Sequence, residues 1–324
     1  MIHTAKFVML ACVLIAQTAE CDTTKRIIMP TNAQEYIAAF RRGEDFTRPS
    51  VGIIVGGQPD IAALQSLGRE LTVGEPSVRE NIVTLLVEAG LRTDPLTPKG
   101  TEVLRNPHII ALLAGPGLVK SDLGREAAMD ALRKLVRPAD LAPFKDAITE
   151  ALYLSPTEEA FLLVAKAKPP QAKVLVDRLA QSTQWQKVEA AKIARAALGA
   201  KDIENEFLAL ATDAETAKNG QALAQALGPL ALIGTPSSLK AIAERLRTPL
   251  TIHIPGVFEK SVRLNVLEAL LYNFPDQPVL YPNNIITEAN YAAAERFCTM
   301  TLGVIYTNPS PPFMTYDGYP IPLE

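Results

Sequence analysis

Histidine and cysteine are scarce, with three of each in 324 residues. A zinc site draws three or four nitrogen or sulfur ligands together at workable spacing, and the chain has neither an HExxH nor a CxxC pair. His108, in "RNPHIIALL", and His253, in "LTIHIPG", each stand without a second His or Cys nearby. No metal is expected. Cys12 falls within an apolar leader, which leaves Cys21 and Cys298 near opposite ends of the chain and excludes a dense disulfide framework. Residues 52–59, "GIIVGGQP", lack the Lys-Ser/Thr of a phosphate loop and miss the GxGxxG spacing; no Ser sits in a GxSxG elbow. No cofactor is expected either.

An excess of positive charge is also missing, since 32 Lys and Arg face 35 Asp and Glu. Nucleic acid or an anionic membrane calls for a basic face, so nucleic acid is not an expected partner. Long apolar runs are absent too. The run "FVMLACVLIA" (7–16) has ten residues; it rises about 15 Å as a helix, against the roughly 20 residues that span a bilayer. No transmembrane segment is expected. Preceded by Lys6 and followed by "QTAECDTTKR", the run has the order of a secretory signal peptide. The protein is expected to be exported, periplasmic or secreted, with residues 1–20 as the signal. Cys21 offers a second reading, lipidation and membrane anchoring, although Glu20 replaces the small residue that such processing uses.

What the chain does have is helical periodicity. From about residue 33 to 303, apolar residues recur at helical spacing over stretches of 8–17 residues, punctuated by Pro, Gly or Asp-containing turns. Helices are predicted at 33–42, 58–71, 76–90, 99–114, 121–136, 139–152, 156–167, 170–182, 184–198, 201–213, 216–232, 236–247, 257–273 and 289–303. The start signals are specific. Ser155, Pro156 and Glu158 read as a capping box with a proline at the first helical position, and Thr235 with Pro236 repeats the pattern without the acid. Strand alternation is limited to "VGIIVGG" (51–57) and "LTIHIPG" (250–256).

One helix recurs. Residues 77–86 read "SVRENIVTLL" and residues 261–270 read "SVRLNVLEAL". Arg79 returns as Arg125 in "LGREAAMDAL" and as Arg263, while "KVEAAKIARAAL" (187–198) and "NGQALAQAL" (219–227) keep the Ala-rich stripe without it. The spacing drifts around 40–47 residues, the length of a paired-helix repeat. "EPSVRENIVTLL" and "FEKSVRLNVLEAL" resemble the second helix of a HEAT repeat, and "GTPSSLKAIAERL" resembles the first. The resemblance implies an all-α, right-handed α-α superhelix of six to seven helix pairs over 58–303. It would follow an N-terminal segment at 21–57 and precede an extended Pro- and Tyr-rich tail at 304–324, which packs as a C-terminal cap. A two-helix unit cannot bury both of its apolar faces alone and so stacks on its neighbours. Arg79, Arg125 and Arg263 are read as contacts between repeats, with a ligand contact on the concave face as the alternative.

Chemistry, if localised, falls in the less regular C-terminal third. The connections at 248–260 and 274–287 are long for a repeat array, and the last 21 residues carry five prolines with Tyr306, Phe313, Tyr316 and Tyr319. His253, Tyr281, Asn283, Tyr316, Asp317 and Tyr319 are the candidate partner-binding residues. The function expected is a non-catalytic scaffold or adaptor for a protein or peptide. The alternative is an enzyme or enzyme subunit, for example a lyase-like HEAT protein, with acid–base residues in those two connections. Cys298 shares a helical face with Ala294 and Leu302, which reads as a small buried residue. Metabolic labelling with a fatty acid separates the two N-terminal readings: label that is lost in Cys21→Ala marks a lipoprotein, and an unlabelled exported chain marks a signal peptide alone.

Overall fold

Helix boundaries follow the short polar residues that can accept from the unpartnered N–H groups of a first turn. In the computed structural model, which describes residues 30–44, 54–55, 58–91, 106–185, 188–254, 258–274, 277 and 287–311, this begins at Asn32. The Glu35 N–H donates to Asn32 Oδ1 and opens α1 (Ala33–Arg41). Asp60 opens α2 (Ile61–Val73) by accepting from Ala62 and Ala63, and α3 follows (Pro76–Leu91). Asn106 caps α4 (Pro107–Leu112). That helix widens into a π turn (Leu113–Gly117) before α5 (Leu118–Lys120). Pro116 lies inside the turn; a proline lacks an N–H and its ring crowds the carbonyl one turn back, which the wider turn accommodates.

Beyond it run α6 (Arg125–Leu135), α7 (Lys145–Leu154), α8 (Glu158–Ala167), α9 (Lys173–Ala180), α10 (Glu189–Ala197), α11 (Lys201–Thr216), α12 (Gly220–Ile233), α13 (Pro236–Glu244), α14 (Val262–Asn273) and α15 (Glu288–Leu302). The cap of α8 is not where the sequence puts it. Thr157, not Ser155, accepts from the first turn, through the Ala160 N–H at 3.2 Å. Ser155 instead donates its N–H to Ala151 O at 2.9 Å and closes α7. Thr235 does cap α13, accepting from the Ser238 N–H. The missing acid arrives from another helix: Glu204, on the first turn of α11, receives the hydroxyls of both Thr235 and Ser238.

The fold is all-α, with two small antiparallel hairpins among the described residues: β1 (Ile54–Val55) with β2 (Gln58–Pro59), and β3 (Thr251–Ile254) with β4 (Phe258–Ser261). The second hairpin takes the first residues predicted for a helix at 257–273. Alternation in "LTIHI" suits a strand, and Ser261 ends β4 while capping α14 through the Arg263 N–H.

Packing orders these helices. Contacts run α3 to α6, α6 to α8, α8 to α10, α10 to α12 and α12 to α14. Each of these also lies against the helix preceding it in the chain, giving the pairs α2–α3, α5–α6, α7–α8, α9–α10, α11–α12 and α13–α14. Alanine makes the close approach possible: in α10 the buried residues are Ala190, Ala191, Ile193, Ala194, Ala196 and Ala197. Next to it α8 buries Phe161 completely, its ring 5.1 Å from that of Trp185. Burial of one such ring stabilises the fold by about 2–3 kcal/mol. α8 also touches α12, across the thin α10.

The tightest approach is between α12 and β3. At Gly220, the first residue of α12, a Cβ would lie 2.0 Å from Thr251 O and 2.8 Å from its carbonyl carbon. Backbone cannot swing aside as a side-chain end can, so only glycine fits. Gly220→Ala is expected to destabilise the protein by about 1–3 kcal/mol, the usual cost of overpacking, read as a lower denaturation midpoint. An unchanged midpoint would show that β3 does not rest on α12 in solution.

Candidate functional site

Arg79, Arg125 and Arg263 sit in the first turns of α3, α6 and α14, and the three share one geometry. Each points Nε at a carbonyl in or just past the helix before its own: Arg79 at Gly74 O (2.7 Å), Arg125 at Leu118 O (2.6 Å), and Arg263 at Leu246 O (2.7 Å), in the 3-10 turn after α13. The last carbonyls of a helix have no partner within it, and a guanidinium supplies donors in a fixed fork. The outer nitrogens differ. Arg79 reaches forward to Lys120 O, at the end of α5. Arg125 turns back to Asp122 at 2.6 Å. Arg263 lies 3.7 Å from the centroid of the Tyr291 ring on α15 and approaches Ser310 Oγ and Pro311 O.

Those last contacts belong to a second arrangement, at the end of the array. After Gly303, whose φ of +65° ends α15, the chain runs back along α13. Tyr306 donates its hydroxyl to Ala243 O at 2.9 Å, and Arg247 lies 4.8 Å from the centroid of its ring. Arg247 also holds Glu295 at 2.8 Å and donates to Asn308 O. Burial pushes the Cys298 thiol up to about 11, and burial followed by the neighbouring Cys298 raises Tyr306 as well. Cys298 is fully enclosed, so it packs as a small core residue.

A third cluster gathers where α6, α8 and α14 end. Lys166, on the last turn of α8, is 5% exposed, donates to Arg133 O on α6, and stands 4.7 Å above the Tyr272 ring of α14. Burial, reinforced by the charge of Arg133, lowers Lys166 to about 7. Burial raises the Tyr272 hydroxyl, against the pull of Arg133. Neither the Tyr272 hydroxyl nor Arg133 Nε has a hydrogen-bond partner, though both atoms are buried; Arg133 NH2 pairs with Asp130 at 2.8 Å. Alongside, Lys168 donates to Gly234 O at 2.6 Å, and Asn273 Nδ2 to Ala231 O at 2.9 Å.

The residues expected to bind a partner are only partly visible. His253 is exposed on β3, opposite Glu259 of β4, and has no hydrogen bond or ion pair through its ring among the described residues. Tyr281, Asn283, Tyr316, Asp317 and Tyr319 lie outside the described residues, as do Cys21 and the signal at 1–20. No group of three His, Cys, Asp or Glu side chains suited to a metal ion occurs among the described residues, and no helix among them is long and apolar enough to cross a membrane. Sequence reading passed over Lys166, Arg133 and Tyr272. Their only trace was a lysine placed in the apolar run "AFLLVAKA" (160–167), where a charge on the buried stripe of a helix is out of pattern. Comparison with protein-family models, with curated proteins and with solved structures gave no match to the chain.

Lys166 carries a stability signature. Its folded value, near 7, lies below the ordinary 10.5, so between these the unfolded chain binds more protons and stability rises with pH. Below about pH 7 the folded protein bears the cost of a buried charge. Wild type is expected to gain stability relative to Lys166→Met between pH 7 and pH 10, measured by chemical denaturation across that range. A pH-independent difference between the two proteins would place the ammonium in water.

Proposed function

We propose that this protein is a right-handed α-solenoid of HEAT-like helix pairs, acting as an exported, non-catalytic scaffold or adaptor that binds a protein or peptide. The observation that carries the reading is the repeated fork of Arg79, Arg125 and Arg263. Each clamps its own helix to the segment before it; Arg79 extends a second donor to Lys120 at the end of α5, and Arg263 pairs with Glu295 of α15 at 3.8 Å. A unit fastened in this way to its successor forms an array whose stability is shared between neighbours. The continuous contacts from α3 to α14 support the same reading, in which the row curves and has a concave side. Extended surfaces of this kind suit long partners better than small substrates.

The C-terminal end supports it as well. Arg247, Tyr306 and Arg263 fasten residues 304–311 across α13 and α15, as a cap on the last pair would require. His253 on its exposed hairpin, together with Tyr281, Asn283, Tyr316, Asp317 and Tyr319, is the recognition surface in this reading.

Used as bait in the native envelope fraction, the full chain is expected to retain one protein in stoichiometric amount, and the purified pair is expected to co-elute. Bait lacking 312–324, which leaves the Arg247 and Arg263 contacts in place, is expected to lose that protein. If the purified components never co-elute, the scaffold reading fails.

A further inference from the structure

Buried hydrogen-bond donors without acceptors are rare, because each one costs the full desolvation of a polar group. Two such donors, Arg133 Nε and the Tyr272 hydroxyl, occur beside the buried ammonium of Lys166. They come from α6, α14 and α8, which meet here: Lys166 lies over the Tyr272 ring at 4.7 Å and donates to the carbonyl of Arg133 itself. One of the three protons on Lys166 goes to Arg133 O, leaving two for another acceptor. Among the described residues no carboxylate bonds to Lys166 or to Tyr272; the Asp130 carboxylate serves the outer nitrogen of Arg133 and Lys134 instead.

From this geometry we infer that Arg133 Nε, the Tyr272 hydroxyl and Lys166 Nζ form a binding subsite for a single carboxylate group. A carboxylate has two oxygens with about four acceptor positions, enough to receive all three donors at once. The charge fits a monoanion. Arg133 is half-offset by Asp130, and the carbonyl ends of α6 and α8, with their negative helix-dipole charge, surround the position. A phosphate dianion would meet that negative field with too little positive charge to match it. Access runs past Arg133, whose side chain is 21% exposed, so the subsite lies just under the surface. The assignment stands apart from the scaffold reading: the subsite takes a carboxylate whether the carrier is a small molecule or an acidic side chain of a peptide.

The test uses the full chain at pH 6, where Lys166 holds its proton. Acetate, a blocked tripeptide with one central glutamate, and inorganic phosphate are titrated separately, with the Arg133 Nε–H resonance followed by NMR. Saturable one-to-one binding of acetate or of the tripeptide, with a shift of that resonance, is expected, and the tighter of the two identifies the carrier. Tyr272→Phe, which removes one oxygen, is expected to bind at least about tenfold more weakly, the worth of one hydrogen bond to a charged group. Lys166→Met is expected to abolish saturation. The inference is overturned if neither carboxylate saturates the Arg133 signal, if phosphate binds as tightly as they do, or if Tyr272→Phe binds unchanged. Should Lys166→Met fail to fold, the Tyr272→Phe comparison still decides the matter.

Discussion

A helix hides its middle carbonyls and leaves its last four unpartnered. A protein built from many helices of 8–16 residues multiplies those ends, and when the ends are packed against neighbours water cannot reach them all. The solution here is side-chain donors from the next element. Arg79 serves Gly74 and Lys120, Arg125 serves Leu118, and Arg263 serves Leu246. Lys166 serves Arg133, Lys168 serves Gly234, Asn273 serves Ala231, and Tyr306 serves Ala243. The same bonds that satisfy one helix fix the position of the next. A cation at a helix C-terminus also gains from the macrodipole, by about 0.3–1 kcal/mol at exposed sites, so most of these donors are charged.

The choice of cation matters. Arginine stays charged at every relevant pH and offers a planar fork that can bond in two directions. It occupies the early turns of α3, α6 and α14, where one donor must go back and others forward or sideways. Lysine is a single point and loses its proton when desolvated. It occupies the seam where α6, α8 and α12 end, and there its charge depends on its surroundings. Lys168 has Glu204 within electrostatic range to oppose its desolvation. Lys166 is more deeply buried and has Arg133 instead, whose repulsion adds to the effect of burial.

Local signals in the sequence were legible where local chemistry decides. The repeated "SVR" lay inside the helix predicted at 257–273, which opens only at Val262 after the Ser261 cap, whereas Thr235-Pro236 marked the start of α13. The alternation in "LTIHI" marked β3, although its return strand was taken for helix because Phe258–Ser261 carries no alternation of its own strong enough to outweigh the helix that follows. Ser155 misled because a serine beside Pro-Thr-Glu satisfies the rule for a cap. The rule does not see that α7 still needs its final bond. The π turn around Pro116 was unreadable in the same way, since proline signals a break and not how the chain absorbs it. Contacts across long separations left almost no trace. Glu204 meets Thr235 and Ser238, and Lys166 meets Tyr272, across separations of 31 or more residues.

Those meetings link folding to binding. Satisfying helix ends with cations concentrates donors along the C-terminal edges of α6 and α8. Lys166 of α8 lies over the Tyr272 ring of α14 and donates to the Arg133 carbonyl of α6, so donors from separate seams meet with fewer carbonyls than they can fill. Packing explains why Lys166 and Arg133 are there, but it does not consume the Tyr272 hydroxyl or Arg133 Nε. Leaving those two buried and unfilled costs the fold on the order of 1–3 kcal/mol each. Tyrosine differs from phenylalanine here only by the oxygen that goes unsatisfied. A purely structural role would favour phenylalanine at position 272, and an acceptor brought from outside the chain gives the oxygen something to do.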